Sequence, residues 1–371
     1  MASQQSDGER MVDELPFNTT ADTTISRQEE LRRTIDMTLV APFRVLWSDW
    51  RARVGFVIVM FYVLMGTLGV MVNPTPYTGM GDRYLQPFHD GWFTLQSVSI
   101  GGVTLPLDPQ FHLVLGTDAL GQGIWSQVVH ATPAMIEMIL AGAVFSTVVA
   151  TIFGTLAGYK GGLTDRSIMT LSDITMTIPG LPLVIIIAAA LQPKDPYLIG
   201  LILGINNWAG LCRAVRSQVL SVRERNFVEA SRAMGLSTPR ILADDIIPDL
   251  MSYISIHFVR AARGIVFESV ALYYLGILPF TTLNWGVMMN LAYNTSGALY
   301  TWKSAHWIFI PMFTITVLSV GLILFSQGMD RIFNPRVRAR HVKSVSSAEP
   351  DEDGEASSPM TTVAQTEVQD K

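Results

Sequence analysis

Six long apolar segments constrain this chain more than any other feature of its sequence. A helix needs about 20 mostly apolar residues to cross the hydrocarbon core of a bilayer. The candidate spans are 54–72, 138–159, 174–192, 197–212, 251–280 and 307–329. Charged residues make up only 15% of the chain, against about 25% in an ordinary globular domain. We therefore predict an all-α membrane protein with six transmembrane helices.

The ends of the fourth and fifth spans stay open at this point. The segment 197–212 is short and contains Asn206 and Asn207, whereas 251–280 is long and contains Arg260, Arg263 and Glu268. A buried charge within a span is costly and usually faces a cavity or a partner. For the two arginines we favour a place at the membrane surface, with the fifth span starting near residue 264. Glu268 lies deeper and becomes a candidate residue of a transport pathway.

The distribution of Lys and Arg gives the orientation, because loops on the cytoplasmic side are enriched in these residues. The segment 1–53 and the segment after 329, together with the loops 160–173 and 213–250, hold 21 of the 26 basic residues. The opposite side holds only Arg83, Lys194 and Lys303. Both termini are therefore predicted to be cytoplasmic, which requires an even number of spans.

The sequence divides into regions of different character. Residues 1–26 are polar and predicted to be disordered, and 27–53 form a basic, amphipathic lead-in to the bilayer. The first span, 54–72, is followed by an external loop, 73–131, whose prolines exclude a long helix. The remaining spans form a core over 132–340, and 341–371 is an acidic, disordered tail.

The loop 224–250, between the fourth and fifth spans, has the pattern of a helix, a turn and a second helix. Asn226 is a suitable N-cap, and Phe227, Ala230 and Met234 recur at helical spacing to form one apolar face. Gly235 follows at the position where a helix often ends in a left-handed residue. These residues predict a short amphipathic helix that ends at the glycine.

The second helix of this loop is predicted to start at Thr238 as a cap, with Pro239 at its first position. Pro248 is expected to end it, since proline does not continue a helix. A short amphipathic helix of this kind can bind in the groove of another protein. The alternative is an ordinary connecting loop, in which Glu229 pairs with a neighbouring arginine at helical spacing.

The order Glu229-Ala230-Ser231, then Gly235, then Pro248 resembles the EAA loop of ABC-importer permeases. In that family the loop holds a coupling helix that docks into a cleft of the ATP-binding subunit. The resemblance therefore implies that these residues form an ATPase-coupling loop. The chain departs from the family pattern by having Ser231 in place of the second alanine and Asp245 before the closing proline.

Other segments extend the resemblance over about residues 45–340, in the family's order. They are WRAR at 50–53, LGTDALG at 115–121, AGYKGG at 157–162, WGVM at 285–288 and NPR at 334–336. The family usually has Arg after LGTDxLG, where this chain has Gln122. Together the segments are similar to the second permease subunit type of the dipeptide/oligopeptide/nickel importers, with a type I ABC-importer fold.

The resemblance also implies partners and a setting. A homologous permease subunit, two ATP-binding subunits that hold ATP-Mg and an external substrate-binding protein would assemble with this chain in the cell membrane of a prokaryote. The expected cargo is di- or oligopeptides, although related systems carry nickel, glutathione or sugars. The excess of Arg over Lys and the acidic tail leave a high-salt organism open as the source. No nucleic-acid partner is expected.

The chain lacks the sequence patterns of an enzyme. No GxxxxGK[ST] loop, no His/Cys cluster at metal-ligand spacing and no GxSxG motif is present. We therefore expect no cofactor in this chain and no hydrolysis by it. The alternative function is a stand-alone six-span channel or secondary transporter, which would show flux without ATP or partners. An intramembrane hydrolase would need a nucleophile constellation that the sequence lacks.

Candidate pathway residues besides Glu268 lie in the third and fourth spans. Pro179 begins the segment Pro-Gly-Leu-Pro, which leaves backbone groups without helical partners, and Asn206 is polar within a short span. Irregular backbone at membrane depth is tolerated where protein or a cavity satisfies it. A simple packing kink is an equal alternative for the proline segment.

Overall fold

A computed structural model describes residues 41–89, 96–100, 103–108 and 111–333. The expected tails 1–26 and 341–371, the lead-in up to residue 40 and the NPR segment at 334–336 lie outside the described residues. The chain divides into two compact units, Met1–Ser48 and Asp49–Lys371.

Helix α1 (Ala41–Ser48) is the described part of the first unit. The rings of Phe43 and Trp47 stack on one another with centroids 5.3 Å apart. Both side chains are exposed, and exposed aromatic residues beside a basic Arg44 are typical of a helix lying on a membrane surface. The amphipathic lead-in is therefore helical where the structure describes it.

The second unit is a bundle of helices. It begins with α2 (Trp50–Leu64), a π-helical segment (Met65–Gly69) and α3 (Val70–Val72). The 73–131 loop contains strands β1 (Gln96–Ile100) and β2 (Val103–Asp108) and a 3-10 turn (Phe111–Leu113). The core holds α4 (Ile124–Lys160), α5 (Gly162–Thr177), α6 (Gly180–Leu191), α7 (Pro196–Gly204), α8 (Trp208–Val222), α9 (Asn226–Ala233) and α10 (Thr238–Ile241). A π-helical segment (Leu242–Ile246), α11 (Ile247–Tyr274), α12 (Trp285–Ser296), a 3-10 turn (Trp302–Ser304) and α13 (Ala305–Phe333) complete it.

The membrane-spanning helices of the described residues are three to five by length and composition. Trp50–Val72, Ile124–Lys160 and Trp302–Met329 each qualify alone. Two further pairs qualify as bent spans, α5 with α6 at 84° and α7 with α8 at 53°. The predicted fifth span lies mostly in α11. This helix contains several charged residues and is not among the helices that qualify as spans. The all-α membrane fold is thus confirmed, whereas the number of six spans stays a prediction.

The break between α5 and α6 shows why the third span is not one straight helix. Ile178 has extended backbone angles (φ −77°, ψ 125°) and Pro179 follows as the N-cap of α6. The residue before a proline is pushed out of the helical region by the proline ring. The Pro-Gly-Leu-Pro segment is therefore a sharp bend.

Glycines bring α4 and α7 into close contact, which the sequence analysis missed. A Cβ atom on Gly200 would lie 2.3 Å from the Met138 carbonyl oxygen, and one on Gly142 would lie 2.4 Å from the Gly200 carbonyl oxygen. Gly204 approaches the Gly142 carbonyl in the same way. Gly200 and Gly204 form a GxxxG pair, the spacing at which membrane helices commonly approach closely. That spacing is visible in the sequence.

The 73–131 loop is a small folded cap. Strands β1 and β2 pair antiparallel, which adds one hairpin to the otherwise helical described residues. Beside it, the buried Asp118 of the LGTD segment accepts hydrogen bonds from the backbone N–H of Leu120 and Gln122 and from Gln127 Nε2, at 2.8 to 2.9 Å. His306 Nε2 lies 3.1 Å from the Thr117 carbonyl oxygen. The LGTD segment thus ties this cap to the start of α13.

Candidate functional site

Helix α9 is the first half of the 224–250 loop. It begins at Asn226, and its N-cap is Arg225, whose backbone is extended and whose side chain makes no capping hydrogen bond. The prediction of Asn226 as the cap is therefore wrong by one residue. The first turn closes on the Arg225 carbonyl, which accepts from the N–H groups of Val228 and Glu229. Asn226 thus already belongs to the helix.

The end of α9 is a Schellman motif centred on Gly235. Gly235 has φ +75°, and its N–H donates to the Arg232 carbonyl at 3.0 Å. The Leu236 N–H donates to the Ser231 carbonyl at 3.2 Å. These two bonds satisfy carbonyls that a helix end otherwise leaves unpaired. The glycine cap is as the sequence predicts.

Replacing Gly235 with alanine is expected to destabilise the fold by about 1 kcal/mol, because a Cβ atom is disfavoured at positive φ. Gly235→Asn should cost less, since asparagine adopts this conformation more readily. No atom lies within 4 Å of the Cβ that would be added, so the effect isolates backbone strain. Thermal unfolding in detergent would measure it.

Gly210→Ala is the matched control for Gly235→Ala. A Cβ atom on Gly210 would also meet no other atom within 4 Å, but Gly210 lies inside α8 and does not have positive φ. Alanine should there be neutral or stabilising. Equal melting temperatures for the Gly235→Ala and Gly210→Ala proteins would contradict the role of the left-handed cap.

The second helix of the loop differs from the prediction. Helix α10 is capped by Ser237, so that Thr238 is already helical and Pro239 is in the first turn. Pro248 does not end the helical rod; it lies in the first turn of α11, directly after the π-helical segment Leu242–Ile246. The prediction of Pro248 as a stop is therefore wrong.

Pro248 does not end the helix because the helical hydrogen-bonding register changes just before it. A proline within a regular α-helix removes one hydrogen bond and clashes with the carbonyl four residues earlier. A π-helical turn bonds to the fifth residue instead. Backbone angles stay helical at Leu242 (φ −62°, ψ −44°) and Ile247 (φ −60°, ψ −43°). The loop consequently joins α11 as one helical rod from Thr238 onward.

The two sides of α9 have different surroundings. Val228 is fully buried and Ser231 is 6% exposed, and Val228 packs in a cluster with Val222 of α8 and Ile241 of α10. On the other side Phe227, Ala230 and Met234 are exposed, with fractions of 42% for Phe227 and 71% for Met234. We call Phe227, Ala230 and Met234 the outer face of α9. It is the apolar face that the sequence predicts, and the described part of the chain does not cover it.

Charged residues surround a cavity of about 480 Å³ beside α9. Its lining consists of Tyr159, Lys160, Arg223, Glu224, Glu229, Arg232 and Thr238. Arg223 Nη1 donates to the Gly158 carbonyl at 3.0 Å, which ties the AGYKGG turn to the end of α8. Among the described residues Glu229 makes no ion pair, and Arg225 instead pairs with Asp249 of α11 at 3.1 Å. The pairing that an ordinary loop would give Glu229 is not observed.

Two ion pairs hold α5 against α8. Arg216 donates to Asp165 through two nitrogens, Nε to Oδ1 at 2.5 Å and Nη2 to Oδ2 at 2.6 Å. Arg213 pairs with Asp173 one turn along. The two parallel hydrogen bonds from Arg216 engage both oxygens of the Asp165 carboxylate, which is a strong and directional form of ion pair. We call these four residues the α5–α8 clamp; it fixes the helix that leads into α9.

Two of the three candidate pathway residues, Pro179 and Asn206, come together where the two bent spans meet. Pro179 precedes Gly180, and a Cβ atom on Gly180 would lie 2.2 Å from Asn206 Nδ2. The neighbouring Asn207 Nδ2 donates to the Leu203 carbonyl oxygen at 3.1 Å. In the sequence Glu268, Pro179 and Asn206 are three separate candidates, and the structure brings Pro179 and Asn206 close to one another. Their proximity depends on the two bends, which no local pattern reveals.

Comparison with known proteins now places the chain in a family. Residues 150–339 match the family described as the inner membrane component of binding-protein-dependent transport systems. The chain belongs to this family. The matched part of this inner membrane component includes the α5–α8 clamp, the 224–250 loop and α11.

Relatives with curated descriptions match most of the chain. The oligopeptide transport system permease protein OppC of Bacillus subtilis is 27% identical over 294 residues, which cover 78% of this chain and 87% of OppC. The dipeptide transport system permease protein DppC of the same organism is 26% identical over 303 residues, covering 80% and 85%. An inward-facing structure of the MetNI methionine ABC transporter aligns with a TM-score of 0.44 and 18% identity, over 55% of this chain and 94% of that one.

Proposed function

We propose that this inner membrane component is the permease subunit of an ATP-driven importer of di- or oligopeptides. We also propose that the outer face of α9 docks separate ATPase subunits. The observation that carries the second part is the exposure of Phe227, Ala230 and Met234 on a helix whose opposite side is buried. An amphipathic helix with a free apolar face is suited to bind in a groove of another protein.

The contacts around α9 suit the transmission of motion. Val228 packs into the cluster that includes α8, while α10 and the π-helical segment connect the loop to α11 without a break in the helical backbone. The ion pair between Arg225 and Asp249 braces the start of α9 against α11. A partner that displaces α9 would therefore move α8 and α11 together.

The remaining partners follow from the same proposal. A homologous permease subunit completes the pore, two ATP-binding subunits hold ATP-Mg, and an external binding protein delivers the peptide. The chain itself holds no cofactor and hydrolyses nothing. Both termini and the 224–250 loop lie on the cytoplasmic side of the cell membrane. The peptide cargo is proposed because OppC and DppC are described as oligopeptide and dipeptide permease proteins.

The test is reconstitution of the chain in proteoliposomes with its candidate partner subunits. Uptake of a radiolabelled tripeptide should require ATP, the binding protein and both permeases. A hydrolysis-deficient ATPase serves as the control and should abolish uptake. Tripeptide flux through the chain alone, without ATP, would overturn the proposal and favour a stand-alone channel or secondary transporter. Uptake of a different solute, without uptake of the tripeptide, would overturn only the proposal that the cargo is a peptide.

A further inference from the structure

One side of α11 is not covered by the described part of the chain. Its buried side includes Val259, Ala262 and Val266. The opposite side, by contrast, exposes Arg260 and Phe267, with Ala271 one turn further on. Residues spaced by three and four lie on one helix face. We call this the open face of α11.

The open face and its edges carry charged and titratable groups. The members are His257, Arg260, Arg263 and Glu268. Arg260, Arg263 and Glu268 form no ion pair with any described residue. Ionisable residues within membrane segments face a bundle interior, a partner or a water-filled cavity, because exposure to lipid is costly.

The position of the open face along the bundle is fixed by a contact with α4. A Cβ atom on Gly142 would lie 2.6 Å from Ile265 Cδ1. Gly142 is at the middle of α4 (Ile124–Lys160), about 27 Å from either end at 1.5 Å per residue. Arg263 and Glu268 flank Ile265 by less than one helical turn. Arg263 and Glu268 therefore lie level with the middle of α4, far from both of its ends, which does not support the membrane-surface position that the sequence favours for Arg263.

An exposed stripe on α4 has the chemistry expected of a surface that faces lipid. Leu140, Val144, Val148 and Ile152 recur every fourth residue and are each about half exposed (47–49%). All four are apolar. The open face of α11 instead combines the exposed Arg260, Phe267 and Ala271 with the partly exposed Arg263 and Glu268, and charged groups of this kind are expected to meet water or a partner.

The spacing of the charged groups on the open face suits a solute that carries both a positive and a negative charge. Along the helix axis Arg263 and Glu268 are about 7.5 Å apart, and Arg260 and Glu268 about 12 Å. Consecutive residues of an extended peptide span about 3.3–3.6 Å each, so the two charged ends of a di- or tripeptide are separated by a similar length. Glu268 could then meet the ammonium end while an arginine meets the carboxylate end.

We propose that the open face of α11 lines the water-filled transport passage, and that Glu268 contacts the ammonium group of a zwitterionic peptide. This inference rests on the proposed function, which assigns a peptide cargo. It adds the lining helix and the residue that recognises the charged end of the cargo. The other possible neighbour of the open face is a dry interface with the second permease subunit, which the experiment distinguishes.

The first test is cysteine accessibility in the assembled transporter, in inside-out vesicles. Cys212 is the chain's single cysteine and is buried, so a Cys212→Ala background is suitable. In that background Phe267→Cys and Ala271→Cys should react rapidly with a membrane-impermeant cationic thiol reagent. The matched control is Val148→Cys on the exposed apolar stripe of α4, which should react slowly. Slow reaction at both α11 positions in the assembled transporter would overturn the proposal, whether or not the isolated chain reacts.

The second test is peptide uptake by Glu268→Gln, with Glu137→Gln of α4 as the control. Glu268→Gln should lower the apparent affinity for trialanine about tenfold, the loss expected for one hydrogen bond to a charged group. Glu137→Gln should leave it unchanged. Equal affinities in both variants would overturn the contact by Glu268. A different outcome separates this inference from the proposed function. If the α11 cysteines react rapidly but the wild-type protein shows no ATP-driven uptake, the proposed function is contradicted, whereas the conclusion that the open face of α11 contacts water still holds.

Discussion

Replacing Ala230 with arginine should abolish ATP-driven uptake while the chain remains folded. Ala230 is at the centre of the outer face of α9 and its side chain points away from the buried Val228 and Ser231. Arginine at this position should therefore change the folding stability of the isolated chain very little. In a groove of the ATPase it would bury an unpaired charge, which costs roughly 3–5 kcal/mol. That corresponds to a loss of association of more than about a hundredfold.

Three measurements on Ala230→Arg separate docking from folding. Co-purification with the ATPase and ATP-driven uptake should both be lost, whereas the melting temperature of the purified chain should be unchanged. Ala243→Arg makes the same chemical change at an exposed position of the π-helical segment, outside the outer face. Its uptake should stay near wild type. Normal co-purification of the Ala230→Arg protein would refute docking through the outer face.

The features of α9 that could be read from the sequence are those set by neighbouring residues. The spacing of Phe227, Ala230 and Met234 defines a helix face, and a glycine after such a run is typical of a left-handed cap. Both signals act within one or two turns, so the structure reproduces them. The observed N-caps, Arg225 and Ser237, each lie one residue before the predicted Asn226 and Thr238, and neither makes a side-chain capping hydrogen bond.

What the sequence did not reveal depends on contacts between distant residues. The bond between Asp165 and Arg216 joins positions 51 residues apart. Proline rules predict a stop at Pro248, but a π-helical segment absorbs the proline and keeps the rod continuous. The approach of Asn206 to Gly180 needs two bends in two separate spans. Hydropathy indicates which segments enter the membrane and contains no information about such pairings.

The close contact between α4 and α7 leads to the second large effect, in which Gly200→Leu should prevent stable folding. The added Cβ atom would lie 2.3 Å from the Met138 carbonyl oxygen and 2.9 Å from Met138 Cα. Both are backbone atoms of α4, so no side-chain rotation relieves the overlap and the helices must separate. Overpacking costs about 1–3 kcal/mol even where side chains can shift. The loss should therefore be larger here, with little folded protein in the membrane.

Gly210→Leu is the matched control, because Gly210 of α8 has no atom within 4 Å of the added Cβ. Leucine is a better helix former than glycine by roughly 0.5–1 kcal/mol, so this variant should be at least as stable as wild type. Fluorescence-detected gel filtration of detergent extracts would compare the amounts of monodisperse protein, and a melting curve would give the stability of each. If the Gly200→Leu protein elutes and melts as wild type does, α4 and α7 can separate without loss, and the GxxxG pair at Gly200 and Gly204 does not hold the bent fourth span in place.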